Sequence, residues 1–215
     1  MLAETCSATL QGVNALPVTV EANEGEKGEP RCVLVGLPDA AVKESLDRVL
    51  SSLSNTGYSS PRTRVTINLA PGDLRKEGAS FDLPIALCLL AAMGQMPGDK
   101  LKDFLIAGEL GLSGETRKVR GGLSIAMLAT KAGKKGVVLP RESAQEACLV
   151  EGIPVYPMDS LAQAVSFFSG ESEQEPMKKS DSPYQLSDEY SAGADFSEVK
   201  GQANVRRAVE VAVAG

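Results

Sequence analysis

Residues 64–84 read R-V-T-I-N-L-A-P-G-D-L-R-K-E-G-A-S-F-D-L-P, and this stretch sets the class of the fold. Its first six residues alternate and carry β-branched side chains, the pattern of a strand. Ala70-Pro71-Gly72-Asp73 then breaks the pattern, and residues 83–93 follow as an unbroken apolar run of eleven. That run is too long for an ordinary strand and falls short of the roughly 20 residues of a membrane-spanning helix, so it predicts a helix buried in a protein core. A strand, a polar turn and a buried helix in succession predict an α/β domain. Ser80 and Asp82 stand just before the helix, where either residue can cap it by accepting a backbone N–H of its first turn.

Upstream, residues 8–10, 17–21 and 31–35 read as three strands, the last two separated by the turn-rich residues 23–30. Leu37-Pro38-Asp39 opens a helix whose apolar stripe is Val42, Leu46, Val49, Leu50 and Leu53, and Gly57 ends it. Downstream, strands are predicted at 104–108, 136–139 and 153–156. Helices are predicted from Gly121 or Gly122 to 132, over 141–150, and from a cap at Asp159 through 168. This organisation places one α/β domain at residues 1–168, a mixed sheet with packed helices. Residues 169–194 turn to Ser, Glu, Lys, Asp and Pro without periodicity, the composition of a disordered, solvated linker. Residues 195–215 resume with a helix from about Gln202, apolar at Val205, Ala208, Val209 and Ala212.

With 215 residues and 43% hydrophobic content, a sizeable core is possible. The opening residues are short, mixed and polar rather than a basic and apolar leader, so the expected location is cytoplasmic and no membrane partner is expected. Histidine is absent, which excludes a Ser-His-Asp triad, a Cys-His pair and imidazole-ligated metal from within these residues. No metal site is expected. Cys6, Cys32, Cys88 and Cys148 are scattered without C-x-x-C spacing and are expected to be reduced. The net charge is −6, but residues 1–168 carry 17 basic against 19 acidic side chains, a net of −2. Residues 169–195 hold only Lys178 and Lys179 against seven acids, so the acidity belongs mostly to the tail.

Arg62, Arg64, Arg75 and Lys76 cluster around the strand at 64–69, and Arg117, Lys118 and Arg120 precede the helix at Gly121. Gathered together, they would neutralise several phosphates and hold DNA without reading its sequence. Aromatic content of 4% argues against base stacking. The alternative is a solvated face balanced by Asp73, Glu77 and Glu115. The phosphate loop G-x-x-x-x-G-K-[ST] is missing: Gly133-Lys134 has Leu128 where the first glycine belongs and Lys135 where the hydroxyl belongs.

Three runs carry a specific resemblance: V-G-L-P-D-A-A-V-K-E-S at 35–45, N-L-A-P-G-D-L-R-K-E-G-A-S-F-D-L-P-I-A-L at 68–87, and G-E-L-G-L-S-G at 108–114. Over nearly its whole length the chain resembles the N-terminal region of the ComM/YifB family. These are magnesium-chelatase-like bacterial proteins in which a Lon-protease-like domain precedes an AAA+ ATPase module. The resemblance implies a Lon-protease-like α/β fold, a linker and, at 195–215, the truncated N-terminal edge of the AAA+ module. F-x-x-V-x-G-Q there is similar to the segment that borders adenine, which implies Phe196, Val199, Gly201 and Gln202 as adenine contacts in the longer protein, with ATP and Mg as its cofactors. It also implies a homo-hexameric motor acting on DNA, similar to a branch-migration helicase used during uptake of foreign DNA.

Lon proteases carry their nucleophile in K-D-G-P-S-A-G and a partnering lysine in G-G-L-K. The corresponding stretches here are K-E-G-A-S-F-D at 76–82 and Gly121-Gly122-Leu123-Ser124. Ser80 is present, but Ser124 stands where the lysine belongs, so the dyad is degenerate and no catalytic residue is expected. Without a general base a contribution of roughly 10² to 10⁴ in rate is missing. Two rival readings are a Ser-Lys-type peptidase using Ser80, with Lys76 or Lys118 as substitute base, and a chelatase-type chaperone that inserts a metal.

Overall fold

The computed structural model describes residues 1–25, 29–184, 201 and 203–214. Two long strands, β1 (Leu2–Gln11) and β2 (Asn14–Glu24), form an antiparallel hairpin across Gly12, whose φ of 61° suits a residue without Cβ. β3 (Arg31–Val35) and β4 (Arg64–Ala70) run parallel, joined by helix α1 (Ala40–Asn55), and β4 pairs antiparallel with β2. On the other side of β1, three parallel strands follow: β5 (Phe104–Ile106), β8 (Gly136–Pro140) and β9 (Val155–Met158). The sheet order is β3-β4-β2-β1-β5-β8-β9; β6 (Glu109–Leu110) and β7 (Thr116–Arg117) form a separate two-stranded ribbon. The protein is therefore a mixed α/β fold, as its sequence predicts.

Helix α2 (Asp82–Ala92) is buried along its entire length. It lies between the sheet and helices α1 and α5 (Leu161–Ser169), and its apolar surface faces protein on every side. Helices α3 (Gly122–Lys131) and α4 (Arg141–Ala147) cover the opposite face over β5 and β8, where a second apolar cluster forms around Leu105, Ile125, Val137 and Leu139. On β4, Val65, Ile67 and Leu69 face the α2 side; Arg64, Thr66 and Asn68 face the other way. α1 begins at Asp39, whose carboxylate accepts the Val42 N–H at 2.8 Å. All four cysteines are free, and burial pushes the Cys88 thiol up to about 12.

Three local expectations are corrected. α2 receives no side-chain cap from Ser80 or Asp82. Asp82 is fully buried and spends its oxygens on Arg48, at 2.8 Å and 3.1 Å, and on the Leu110 N–H at 3.2 Å. α5 is capped by Ser160, not Asp159, through the Gln163 N–H at 3.2 Å, while Asp159 pairs with Arg141. The compact unit extends from Met1 to Tyr184, so residues 169–184 belong to it rather than to a linker starting at 169. Edge strand β9 and helix α4 supply the reason: the Met177 N–H donates to the Val155 carbonyl of β9 at 2.8 Å and the Ser182 hydroxyl to the Gln145 carbonyl of α4 at 2.6 Å. Helix α6 (Ala203–Ala214) lies in a second unit.

Candidate functional site

The C-terminal half of β1, the start of α1, β6, residues 118–120 and the first turn of α3 line a cleft of about 510 Å³ beside the segment 77–80. Backbone bonds hold that segment in place. Lys76 N–H donates to the Leu37 carbonyl at 3.4 Å and Asp39 N–H to the Lys76 carbonyl at 3.1 Å. Gly78 then turns the backbone at φ 81°, and Gly108 N–H donates to the Ser80 carbonyl at 2.9 Å while the Gly108 carbonyl accepts Leu83 N–H at 2.9 Å. Ser80 is thus presented at the cleft wall by its main chain, and its hydroxyl has no hydrogen-bond partner among the described residues. Ser80→Ala is therefore expected to leave stability within about 0.5 kcal/mol of the parent, where loss of a true cap would remove about 1 kcal/mol. Thermal melting of the two proteins side by side measures the difference.

Lys118, Val119 and Arg120 line the same cleft as Ser80. Val119 is buried, and its N–H and carbonyl both bond the Ser143 hydroxyl at 2.9 Å, so the two flanking basic side chains point outward from a fixed backbone. Lys118 shares the cleft with Ser80, but no hydrogen bond joins them. Ser124 does not line the cleft: its hydroxyl donates to the Val13 carbonyl at 2.6 Å. Lys76 is buried, its ammonium turned to the Pro71 carbonyl, and burial lowers its pKa from the ordinary lysine range. Neither the serine pair nor the lysines meet as a nucleophile and base.

The basic residues that neighbour one another in sequence divide into separate groups in space. Lys76 is internal and offers no charge to a surface ligand. Arg75 pairs with Glu77 at 3.2 Å, and Arg117 lies between Glu115 at 2.9 Å and Glu109 at 3.9 Å. Lys118 and Arg120 are exposed and make no ion pair among the described residues. Arg62 and Arg64 are exposed at the N-terminal end of β4, whose seven residues at about 3.3 Å each put Arg64 about 20 Å from Ala70 at its other end.

The sheet adds a residue that sequence reasoning missed. Arg31 is in direct parallel register with Arg64, so two guanidinium-bearing residues occupy one face at neighbouring strand positions. Like charges at such positions repel. None of Arg31, Arg62 and Arg64 has a carboxylate partner among the described residues. Only the β3–β4 register reveals this, because residue 31 is separated from 64 by the whole of α1.

Of the four adenine candidates, Phe196, Val199 and Gln202 lie outside the described residues; Gly201 has φ 81° and precedes α6. Among the described residues no helix is long and apolar enough to cross a membrane, and no group of three or more Cys, Asp or Glu side chains gathers as a metal site.

Residues 20–143 match the family described as subunit ChlI of Mg-chelatase. The protein YifB of Escherichia coli is 40% identical over 204 residues, covering 95% of this chain and 39% of YifB. The competence protein ComM of Haemophilus influenzae is 38% identical over 217 residues, covering 100% of this chain and 42% of ComM. The 215 residues therefore span about two-fifths of the length of these relatives.

Proposed function

Given that the chain belongs to the magnesium-chelatase-like ComM/YifB family, we propose that it is the noncatalytic N-terminal domain of a longer cytoplasmic AAA+ ATPase. That longer protein assembles as a hexameric ring and moves branched DNA, and this domain shapes the ring and touches the nucleic acid. ATP and Mg belong to the part of the protein that carries the phosphate loop; the complete pattern G-x-x-x-x-G-K-[ST] does not occur in these 215 residues.

The observation that carries the DNA contact is the arginine group at the start of β3 and β4. Two in-register arginines without acidic partners among the described residues cost folding free energy through mutual repulsion, and a phosphate backbone removes that cost by supplying the missing anions. No aromatic residue accompanies them on either strand, so the grip is electrostatic and indifferent to base identity. Four of the nine aromatics, Phe104, Tyr156, Phe167 and Phe168, instead pack against one another around β5, β9 and α5.

Binding of a four-way junction by the 215-residue protein, measured against salt, tests the contact. Arg31→Gln, Arg62→Gln and Arg64→Gln together are expected to lower the salt slope by up to about 3, roughly one per phosphate contact. Arg75→Gln, whose charge Glu77 already answers, serves as the unchanged control. A triple variant that binds like the parent removes the contact. A longer protein that moves no junction with ATP removes the motor.

A further inference from the structure

The cleft beside Ser80 has no role in that reading, and its chemistry selects a different kind of ligand. Five separate parts of the fold meet there, from β1 through the start of α1 to β6 and α3. Its size falls in the range of about 300–1,000 Å³ typical of sites for small ligands and short segments. Much of the wall is aliphatic, with Ala8, Leu10, Ala41, Ala79 and Ile125, and none of it is aromatic.

The charges decide the rest. Asp39, Glu77 and Glu109 line the cleft, and each carboxylate already has a partner: Asp39 accepts the Val42 N–H, Glu77 pairs with Arg75, and Glu109, at 3.9 Å, shares Arg117 with Glu115. Lys118 and Arg120 are the lining ions without a partner among the described residues, and the Ser80 hydroxyl is likewise unused. A base has nothing to stack on here, and a polyphosphate would bring several negative charges against three carboxylates. A single carboxylate on an aliphatic, hydrogen-bonding body meets every feature: two unpaired cations for its charge, alkyl walls for its side chains and a free hydroxyl for its backbone.

We infer that this cleft, lined by Ser80, Lys118 and Arg120, binds an extended polypeptide segment bearing a carboxylate. The Ser143 bridge to Val119 holds the cationic wall in place before the ligand arrives, so little ordering is lost on binding. Gly121 and Gly122 maintain the same geometry: a Cβ on Gly121 would lie 2.8 Å from the Leu10 side chain, and one on Gly122 would lie 2.4 Å from the Ser143 carbonyl oxygen. The carboxylate has two sources, an acidic residue or a free C-terminus.

Fluorescence anisotropy with the 215-residue protein tests the inference, using labelled Ala-Val-Ala-Asp amide, its Ala-Val-Ala-Asn counterpart and Ala-Val-Ala-Ala with a free C-terminus. The expected result is saturable binding of one or both carboxylate peptides, with the asparagine amide at least about tenfold weaker. Which acid binds identifies the source. Lys118→Gln with Arg120→Gln is expected to erase the preference for acid, whereas Arg31→Gln leaves it intact. Should the double variant lose its fold, the comparison of the three peptides on the parent protein still decides. Equal binding of the asparagine amide, no saturation by either acid at millimolar concentration, or a preference that survives in a folded double variant overturns the inference. Displacement of the peptide by a single-stranded oligonucleotide also overturns it, because the cleft would then belong to a polyanion. None of these failures bears on DNA contact at Arg31, Arg62 and Arg64.

Discussion

Asp82→Ala is expected to destabilise the domain by about 2–4 kcal/mol, somewhat less than the roughly 3–5 kcal/mol for breaking a fully buried ion pair, because the Arg48 left behind keeps 22% side-chain exposure. The carboxylate has no solvent exposure and takes a two-pronged contact from Arg48, with Nε at 2.8 Å and Nη2 at 3.1 Å. Its hydrogen bond holds the Arg48 guanidinium pKa above the ordinary arginine value. With the carboxylate gone, Arg48 retains the Ser45 hydroxyl at 3.1 Å and the Ala41 carbonyl at 3.5 Å, neither of which neutralises it, and Leu110 N–H loses its acceptor. One side chain therefore joins α1, the start of α2 and β6. Urea unfolding should show a lower midpoint at an unchanged slope. Replacing both partners by apolar residues, as Arg48→Met with Asp82→Leu, should recover much of the loss, because no orphan charge remains. A single variant within about 1 kcal/mol of the parent, on the order of an exposed pair, would show that the contact is dispensable.

Gly36→Ala should cost about 3 kcal/mol or more, through left-handed strain and overpacking together. Gly36 has φ 101°, and a Cβ there would sit 2.1 Å from the Leu69 carbonyl oxygen and 2.8 Å from its carbonyl carbon. Those atoms are backbone of β4, a strand paired on both sides, and cannot yield without breaking its pairing with β3. Gly72→Ala is the control, since nothing lies within 4 Å of its added Cβ and its φ is not positive. Melting temperatures of the two variants should separate by several degrees, about 2–4 °C per kcal/mol for a protein of this size. Coincident melting curves would show that the close approach of β3 to β4 is not required.

Local pattern was enough for much of the architecture. The β-branched run at 64–69 forms β4, the apolar run at 83–93 forms α2, and the stripe from Val42 to Leu53 packs α1 inward, because each signal resides in neighbours a few residues apart. Side-chain partners were not legible in the same way. Asp82 looked like a cap because a helix follows it, yet Arg48 lies 34 positions upstream in sequence and wins its oxygens. Residues 169–184 looked solvated because their composition is polar, but β9 and α4 each offer them a backbone acceptor, the Val155 and Gln145 carbonyls, that composition does not display.

The amino-acid sequence alone determined the α/β class, the absence of histidine chemistry, the missing phosphate loop and the family resemblance, since these depend on residue identity and short spacing. Tertiary structure alone decided which charges remain available. It buried Lys76, answered Arg75 and Arg117 with glutamates, set Arg31 beside Arg64, and brought Lys118 and Arg120 to the cleft of Ser80. The physical reason is range: backbone preference is set within a turn or two of sequence, whereas an ion is neutralised by whatever the fold carries to within a few ångströms of it.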